Sequence, residues 1–258
     1  MSEWSLVYDR YDPAEQGLRE ALCTTGNGYF CTRGAFPWVK AGEIHYPGTY
    51  VAGGYNRLTS KIGEHEQEHE DLVNFPNWLG LTFRIDGGEW FDLDKVEILS
   101  FEQSLDLQEG MLKHAIRFRH DKNRETTLTL RRFVHMGWPH HAAQEMVLVA
   151  QNWSGTVEFR SDLDGQVGNR GVARYAHLMS HHLDYIASGE FSGVLSPDKM
   201  IYLITRSSQS RVRVGMAART RVFRSNVWQE DAEITVNAID GYVEALIPVV
   251  VATWPSTT

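Results

Sequence analysis

The chain has 258 residues, of which 42% are hydrophobic, with 25 Lys and Arg against 33 Asp and Glu and a formal net charge of −8. That hydrophobic share supports a large buried core and argues against an intrinsically disordered chain. No run of Lys and Arg forms a basic stripe, so neither nucleic acid nor an anionic membrane is an expected partner.

The opening MSEWSLVYDRYDP has neither the basic nor the apolar region of a secretory signal. The longest apolar run, near Ala245–Ala252, is far shorter than a bilayer span. Two cysteines, Cys23 and Cys31, are too few for a disulfide framework. These features predict a cytoplasmic protein. A helix is expected over Ala14–Leu22, capped by Asp12 with Pro13 in its first position.

The stretch TTGNGYFCTRG at 24–34 invites a phosphate-loop reading. A dinucleotide fingerprint needs a third glycine where Cys31 stands, and no Gly-Lys-Ser/Thr follows. A tight turn is the better expectation, with Gly26 and Gly28 supplying positive φ. Further on, His65-Glu66-Gln67-Glu68-His69 matches the zinc-protease pattern H-E-x-x-H. Its context EHEQEHED contains no apolar residue, and a zinc-protease helix must bury one face. The segment therefore predicts a solvated acidic loop, with no metal site. No other cofactor fingerprint is present, and no Gly-x-Ser-x-Gly nucleophile motif occurs.

From Leu79 onward, alternation of period 2 dominates. Leu79, Leu81, Phe83 and Ile85 oppose Thr82, Arg84 and Asp86. Leu112, His114, Ile116 and Phe118 oppose Lys113, Arg117 and Arg119. Val212, Val214 and Met216 oppose Arg211, Arg213 and Gly215. Met146–Ala150 and Ile201–Ile204 are apolar on both faces and predict central strands. Gly87-Gly88 and Asp240-Gly241 predict hairpins, and Asn152–Gly155 and Ser196-Pro197-Asp198 predict turns. The whole predicts an all-β fold, a large antiparallel β-sandwich in one domain over 1–258 with one short N-terminal helix. The adjacent pairs His140-His141 and His181-His182 point to opposite faces of a strand and make no ready metal site. The 33 acidic residues offer many carboxylate pairs for glycosidase chemistry, and the sequence singles out none of them.

Taken in order, a set of motifs resembles the N-terminal domain of glycoside hydrolase family 65, the family of maltose, trehalose and kojibiose phosphorylases and acid trehalases. They are Gly26-Asn27-Gly28-Tyr29, Arg33-Gly34, Pro47-Gly48-Thr49-Tyr50, Ala52-Gly53, Tyr55-Asn56, Leu72-Val73-Asn74 and Pro76-Asn77-Trp78. Leu105-Asp106-Leu107 with Gly110, Arg131-Arg132-Phe133, Asn152 with Ser154-Gly155, and Leu163-Asp164-Gly165 with Asn169 follow. The family often has Gly where Cys31 stands. The resemblance implies a supersandwich shaped like galactose mutarotase, and a catalytic (α/α)6 barrel, carrying the general-acid Glu, that is not in these residues. It therefore implies no catalytic residue and no cofactor here. The expected partner is that barrel, carbohydrate or a second copy of the chain being the others. Asn27, Tyr29, Arg33, Tyr50, Tyr55, Asn56, Phe75, Asn77 and Trp78 are the expected domain-interface or sugar-contact residues, and Asn74–Leu79 is expected to be only partly buried. A free-standing carbohydrate-binding module and a mutarotase-like epimerase are the competing readings.

Overall fold

The computed structural model describes residues 3–169, 178–193 and 196–252. In chain order, β1 (Ser5–Tyr8) leads through a 3-10 turn into α1 (Gln16–Leu22). Three short strands, β2 (Thr25–Gly26), β3 (Phe30–Thr32) and β4 (Thr49–Val51), form one small sheet, and β5 (Tyr55–Ile62) pairs with β6 (His65–Leu72). The longer strands follow: β7 (Leu81–Ile85), β8 (Glu97–Asp106), β9 (Met111–His120), β10 (Arg124–Val134), β11 (Ala142–Ala150) and β12 (Gly155–Asp164). Then come β13 (Leu183–Gly193), β14 (Ser196–Ser207), β15 (Arg213–Arg219), the small hairpin β16 (Phe223–Arg224) and β17 (Val227–Trp228), β18 (Thr235–Ile239) and β19 (Tyr242–Val251).

The expected antiparallel sandwich is what forms. A five-stranded sheet, β1-β8-β9-β10-β11, faces a four-stranded sheet, β18-β19-β12-β7. Between them lie Phe36, Phe83, Phe91, Phe101, Ile116, Phe118, Leu128 and Val157. Alternation explains which side chains meet there: in β9, Leu112, His114, Ile116 and Phe118 are buried while Lys113, Ala115 and Arg117 are exposed. The four-stranded sheet also packs on the sheet β13-β14-β15, through Leu163, Val243 and Ala245 against Ile201 and Leu203. Each fully buried Val, Leu, Ile or Phe among them contributes about 1.5–3 kcal/mol.

The predicted helix is present but begins at Gln16; Asp12 caps the 3-10 turn Pro13–Glu15 before it, accepting a hydrogen bond from the Ala14 N–H at 3.2 Å. The Asp240-Gly241 hairpin joins β18 to β19, with Gly241 at φ 78°. Four expectations need correction. Met146–Ala150 is not central: β11 is an edge strand, and Val147 and Val149 are exposed. The acidic segment is not a loop: all of it but Glu64 lies in β6, where each residue pairs with one of β5. Ser196-Pro197-Asp198 is not a turn but the start of β14. Gly26 does not have positive φ. It lies in β2, where a Cβ would stand 2.6 Å from that of Cys31. No described helix is long and apolar enough to cross a membrane.

Candidate functional site

The GNGY turn is closed by Asn27. Its N–H donates to the Phe30 carbonyl at 3.1 Å, and Gly28 adopts φ 84°. Asn27 Oδ1 accepts the Tyr29 and Phe30 N–H groups at 3.0 and 3.1 Å. Its Nδ2 donates to the carbonyls of His135 and Pro139 at 2.8 and 2.9 Å. One side chain thus ties the turn to the loop between β10 and β11. Two amides that a phosphate would need are already satisfied from within, as the tight-turn reading requires.

Arg33 is similarly engaged. Its Nε donates to the Tyr46 carbonyl at 2.8 Å and its NH2 to the Gly17 carbonyl at 3.0 Å, with the guanidinium over the Tyr46 ring. Beside it sits a carboxylate not singled out from the sequence. Glu20 is 1% exposed, pairs with His45 Nδ1 at 2.8 Å, and accepts the Tyr46 N–H at 2.8 Å. The Tyr50 hydroxyl donates to that of Tyr46 at 3.1 Å, and burial raises its pKa. Buried Arg132 donates to the carbonyls of Ala35 and Arg33, and desolvation pulls its pKa down to about 10. These groups fix the path of residues 33–46. The thiols of Cys23 and Cys31 are both pushed up by burial, which leaves them poor nucleophiles.

Asn56 is the hub of a second network. Its Oδ1 accepts the Gln209 and Ser210 N–H groups, each at 2.9 Å. That fixes the amide orientation, so Nδ2 donates to Ser208 Oγ and His182 Nδ1, each at 3.1 Å. His182 Nε2 and His69 Nε2 both approach Asp71 Oδ2, at 3.3 and 3.4 Å. Two imidazoles and a carboxylate at such spacing resemble a metal site. The tautomer rules it out. His182 Nδ1 must accept from Asn56, so its proton is on Nε2, and no lone pair there faces a metal. His69 Nε2 also lies 3.1 Å from the Met179 carbonyl, which calls for a proton on that nitrogen. Among the described residues, no group of three His, Cys, Asp or Glu could hold a metal ion. The H-e-x-x-H residues lie on a strand, where positions four apart are about 13 Å from each other.

The third motif group is core. Phe75 has no exposed surface and packs with Val73, Val167 and Leu183. Asn74, Asn77 and Leu79 are buried, and Trp78 is half-buried against the Leu163–Leu203 cluster. The expectation that Asn74–Leu79 is only partly buried is therefore wrong for all but Trp78. Proline at 76 does prevent regular pairing, but side chains replace it. Asn74 Oδ1 accepts the Thr49 N–H and its Nδ2 donates to the Gly168 carbonyl; Asn77 Oδ1 accepts the Leu79 N–H.

One further carboxylate stands out on the opposite face of the four-stranded sheet. Asp162 is 6% exposed, and burial pushes its pKa up to about 6. It lies 3.4 Å from Arg160 Nε, which is 4.0 Å from Glu244. Arg160 also stacks on Trp90, with Arg84 on the same ring. A recess of about 380 Å3 is lined by Lys199, Arg221, Trp228, Glu230 and Ile234 among others, and none of the nine sequence-derived residues reaches it. Of those nine, Tyr29 and Tyr55 are the two with exposed side chains, at 43% and 50%.

Comparison with known proteins places these networks in a family. The model of the glycosyl hydrolase family 65 N-terminal domain matches residues 6–251. An uncharacterized glycosyl hydrolase of Mycobacterium tuberculosis is 48% identical over 221 residues, 86% of this chain and 16% of that protein. The kojibiose phosphorylase of Caldanaerobacter subterraneus subsp. tengcongensis is 29% identical over 224 residues, 86% of this chain and 27% of the enzyme. A solved structure of a human-microbiome protein, provisionally named a kojibiose phosphorylase, shares the fold. It has a TM-score of 0.77 at 16% identity, over 96% of this chain and 30% of that one. The chain thus spans less than a third of the length of these relatives.

Proposed function

The chain belongs to the N-terminal domain family of glycosyl hydrolase family 65, and on that premise we propose that it is a non-catalytic accessory domain of a longer glycoside phosphorylase or hydrolase acting on α-glucosyl disaccharides. In this reading residues 1–258 form one domain, a mutarotase-like supersandwich that packs on and supports a catalytic barrel of the same polypeptide. One observation carries it. The polar residues of the family motifs are engaged in holding the chain's own loops: Asn27, Arg33, Asn56, Asn74, Asn77 and Arg132 all bond backbone groups of distant or turning segments. A catalytic or phosphate-binding group needs free valences directed at a ligand. Tyr29 and Tyr55 are the two proposed contact residues still free to meet a sugar or a neighbouring surface.

The epimerase reading calls for a His and a Glu converging in a cleft. Glu20 and His45 do meet, but Glu20 is buried and also accepts the Tyr46 N–H. The carbohydrate-module reading rests on the exposed tyrosines alone.

Titration of the chain with inorganic phosphate, maltose, trehalose and kojibiose, followed by NMR chemical shifts, separates the readings. The accessory reading expects no saturable phosphate binding, and saturation by phosphate would overturn it. Saturation by a disaccharide, lost in Tyr29→Ala or Tyr55→Ala, would favour the carbohydrate module.

A further inference from the structure

We infer that the recess lined by Lys199, Thr220, Arg221, Trp228, Glu230 and Asp231 is a carbohydrate-binding site that takes one hexose unit of a neutral sugar. The inference goes beyond the accessory reading and does not depend on it, since a domain of a longer enzyme and a free-standing module can equally carry such a site.

Segments from three places in the chain build the recess. Lys199 comes from β14, Thr220 and Arg221 follow β15, and residues 228–234 lead from β17 toward β18. The hairpin of β16 and β17 turns at Ser225 and Asn226, both at positive φ (48° and 62°), the form that matches strand twist. The Gln229 N–H donates to the Val222 carbonyl at 2.9 Å, which ties the exit of the hairpin to its entry. Lys199 Nζ donates to the Ile234 carbonyl at 3.1 Å and holds the other wall. The recess is thus braced from within, and its volume of about 380 Å3 falls in the range of small-molecule pockets.

The occupant follows from the lining. Two cations, Lys199 and Arg221, stand against two carboxylates, Glu230 and Asp231, so these side chains give the recess no net charge with which to hold an ion. The Lys199 ammonium is also engaged by the Ile234 carbonyl and lies 3.6 Å from Glu190. Glu230 and Asp231 take part in no ion pair among the described residues. A carboxylate with open lone pairs accepts hydrogen bonds from two adjacent hydroxyls, and the Thr220 hydroxyl both donates and accepts. Trp228 is half-buried, with the Arg221 guanidinium over its ring at 4.6 Å. Indole and guanidinium together make a planar, weakly hydrated wall that suits the C–H face of a sugar ring. A phosphate group would meet two carboxylates here, and an aliphatic ligand would leave the charged groups unsolvated. A neutral ring dense in hydroxyls, with one apolar face, meets every condition.

Chemical-shift titration of the isotope-labelled chain with methyl α-glucoside and maltose tests this, carried to about 100 mM to suit a weak single-unit site. The amides of Thr220, Arg221 and residues 228–232, and the Trp228 indole N–H, should shift together and saturate with a Kd of about 1–10 mM. Trp228→Ala and the double variant Glu230→Gln/Asp231→Asn should each weaken binding at least about tenfold. The double variant alters only exposed side chains, so it keeps the test open even where Trp228→Ala unfolds the hairpin. Tyr29→Ala and Tyr55→Ala should bind as wild type does, which separates this site from the exposed tyrosines. Shifts that stay linear to the end of the range, as with glycerol, would overturn the inference. So would saturation unchanged in Glu230→Gln/Asp231→Asn, or glucose 1-phosphate binding in place of the neutral sugars. None of these outcomes decides the accessory reading, which turns on inorganic phosphate and on turnover.

Discussion

Asn56→Ala should lower the unfolding free energy by about 3–5 kcal/mol, although it removes only one small side chain. The change strips partners from the Gln209 and Ser210 N–H groups, from Ser208 and from His182 Nδ1. Each buried group left unsatisfied costs about 1–3 kcal/mol, and partial access of water limits the sum. The damage should be local at first. It falls where β5 and β6 meet the β14–β15 connection, so hydrogen exchange there should rise before the Phe-rich core loosens. Asn56→Asp offers a sharper check. Its carboxylate still accepts the two backbone N–H groups, and His182 can move its proton to Nδ1 to meet it. That variant should therefore lose less than Asn56→Ala. Equal losses in urea unfolding would mean that the contact is merely steric.

The second large effect is on acid stability and centres on His114. It is buried between Phe36 and the Arg132 side of β10, and desolvation pushes its pKa down to about 3. The native state therefore holds this ring neutral while the unfolded chain protonates it below about pH 6.5. The contribution is fully present above that pH. It is lost as pH falls, at about 1.4 kcal/mol per unit down to about pH 3. His182, also lowered by burial, adds in the same direction. Asp162 has the opposite sign. Its raised pKa means that stability is lost as pH rises through about 6, so acid relieves it. Raw pH profiles mix these groups, so the difference between wild type and His114→Leu is the quantity to read. At pH 7 the two should differ by about 1 kcal/mol or less, since an apolar group of similar size fills the site. Between pH 6.5 and 4.5 the variant should become more stable than the wild type by about 2–3 kcal/mol. Parallel profiles would show that the ring has a polar partner in the fold.

Much of the fold was legible because half-buried strands carry their address in their alternation. β9 and the β18–β19 hairpin are read directly from period and turn residues. The misread elements share one cause, which is that burial is decided by neighbours. Met146–Ala150 is apolar on both faces, yet nothing in its own composition reveals that it lies at a sheet edge. EHEQEHED lacks apolar residues and still forms a strand, because pairing to β5 satisfies the backbone whatever the side chains. Phe75 follows the same logic. Proline at 76 signals a loop, but Val167 and Leu183 arrive from distant segments to join Val73 in covering it.

The motif residues were visible as a set through family resemblance, whereas their roles were not. An asparagine that bridges loops 108 residues apart looks the same in sequence as one that binds a sugar. Glu20 and His45 gave no signal at all, since their meeting depends on the turn of residues 33–46.

The claim that the family motifs hold the fold and perform no chemistry is tested most directly by assaying the purified chain. Maltose, trehalose and kojibiose should each be offered with and without inorganic phosphate, and glucose and glucose 1-phosphate measured. The account predicts no release above that of a mock preparation. Turnover that persists through rigorous purification, and that is lost in Asn27→Ala or Arg33→Ala variants that remain folded, would contradict it.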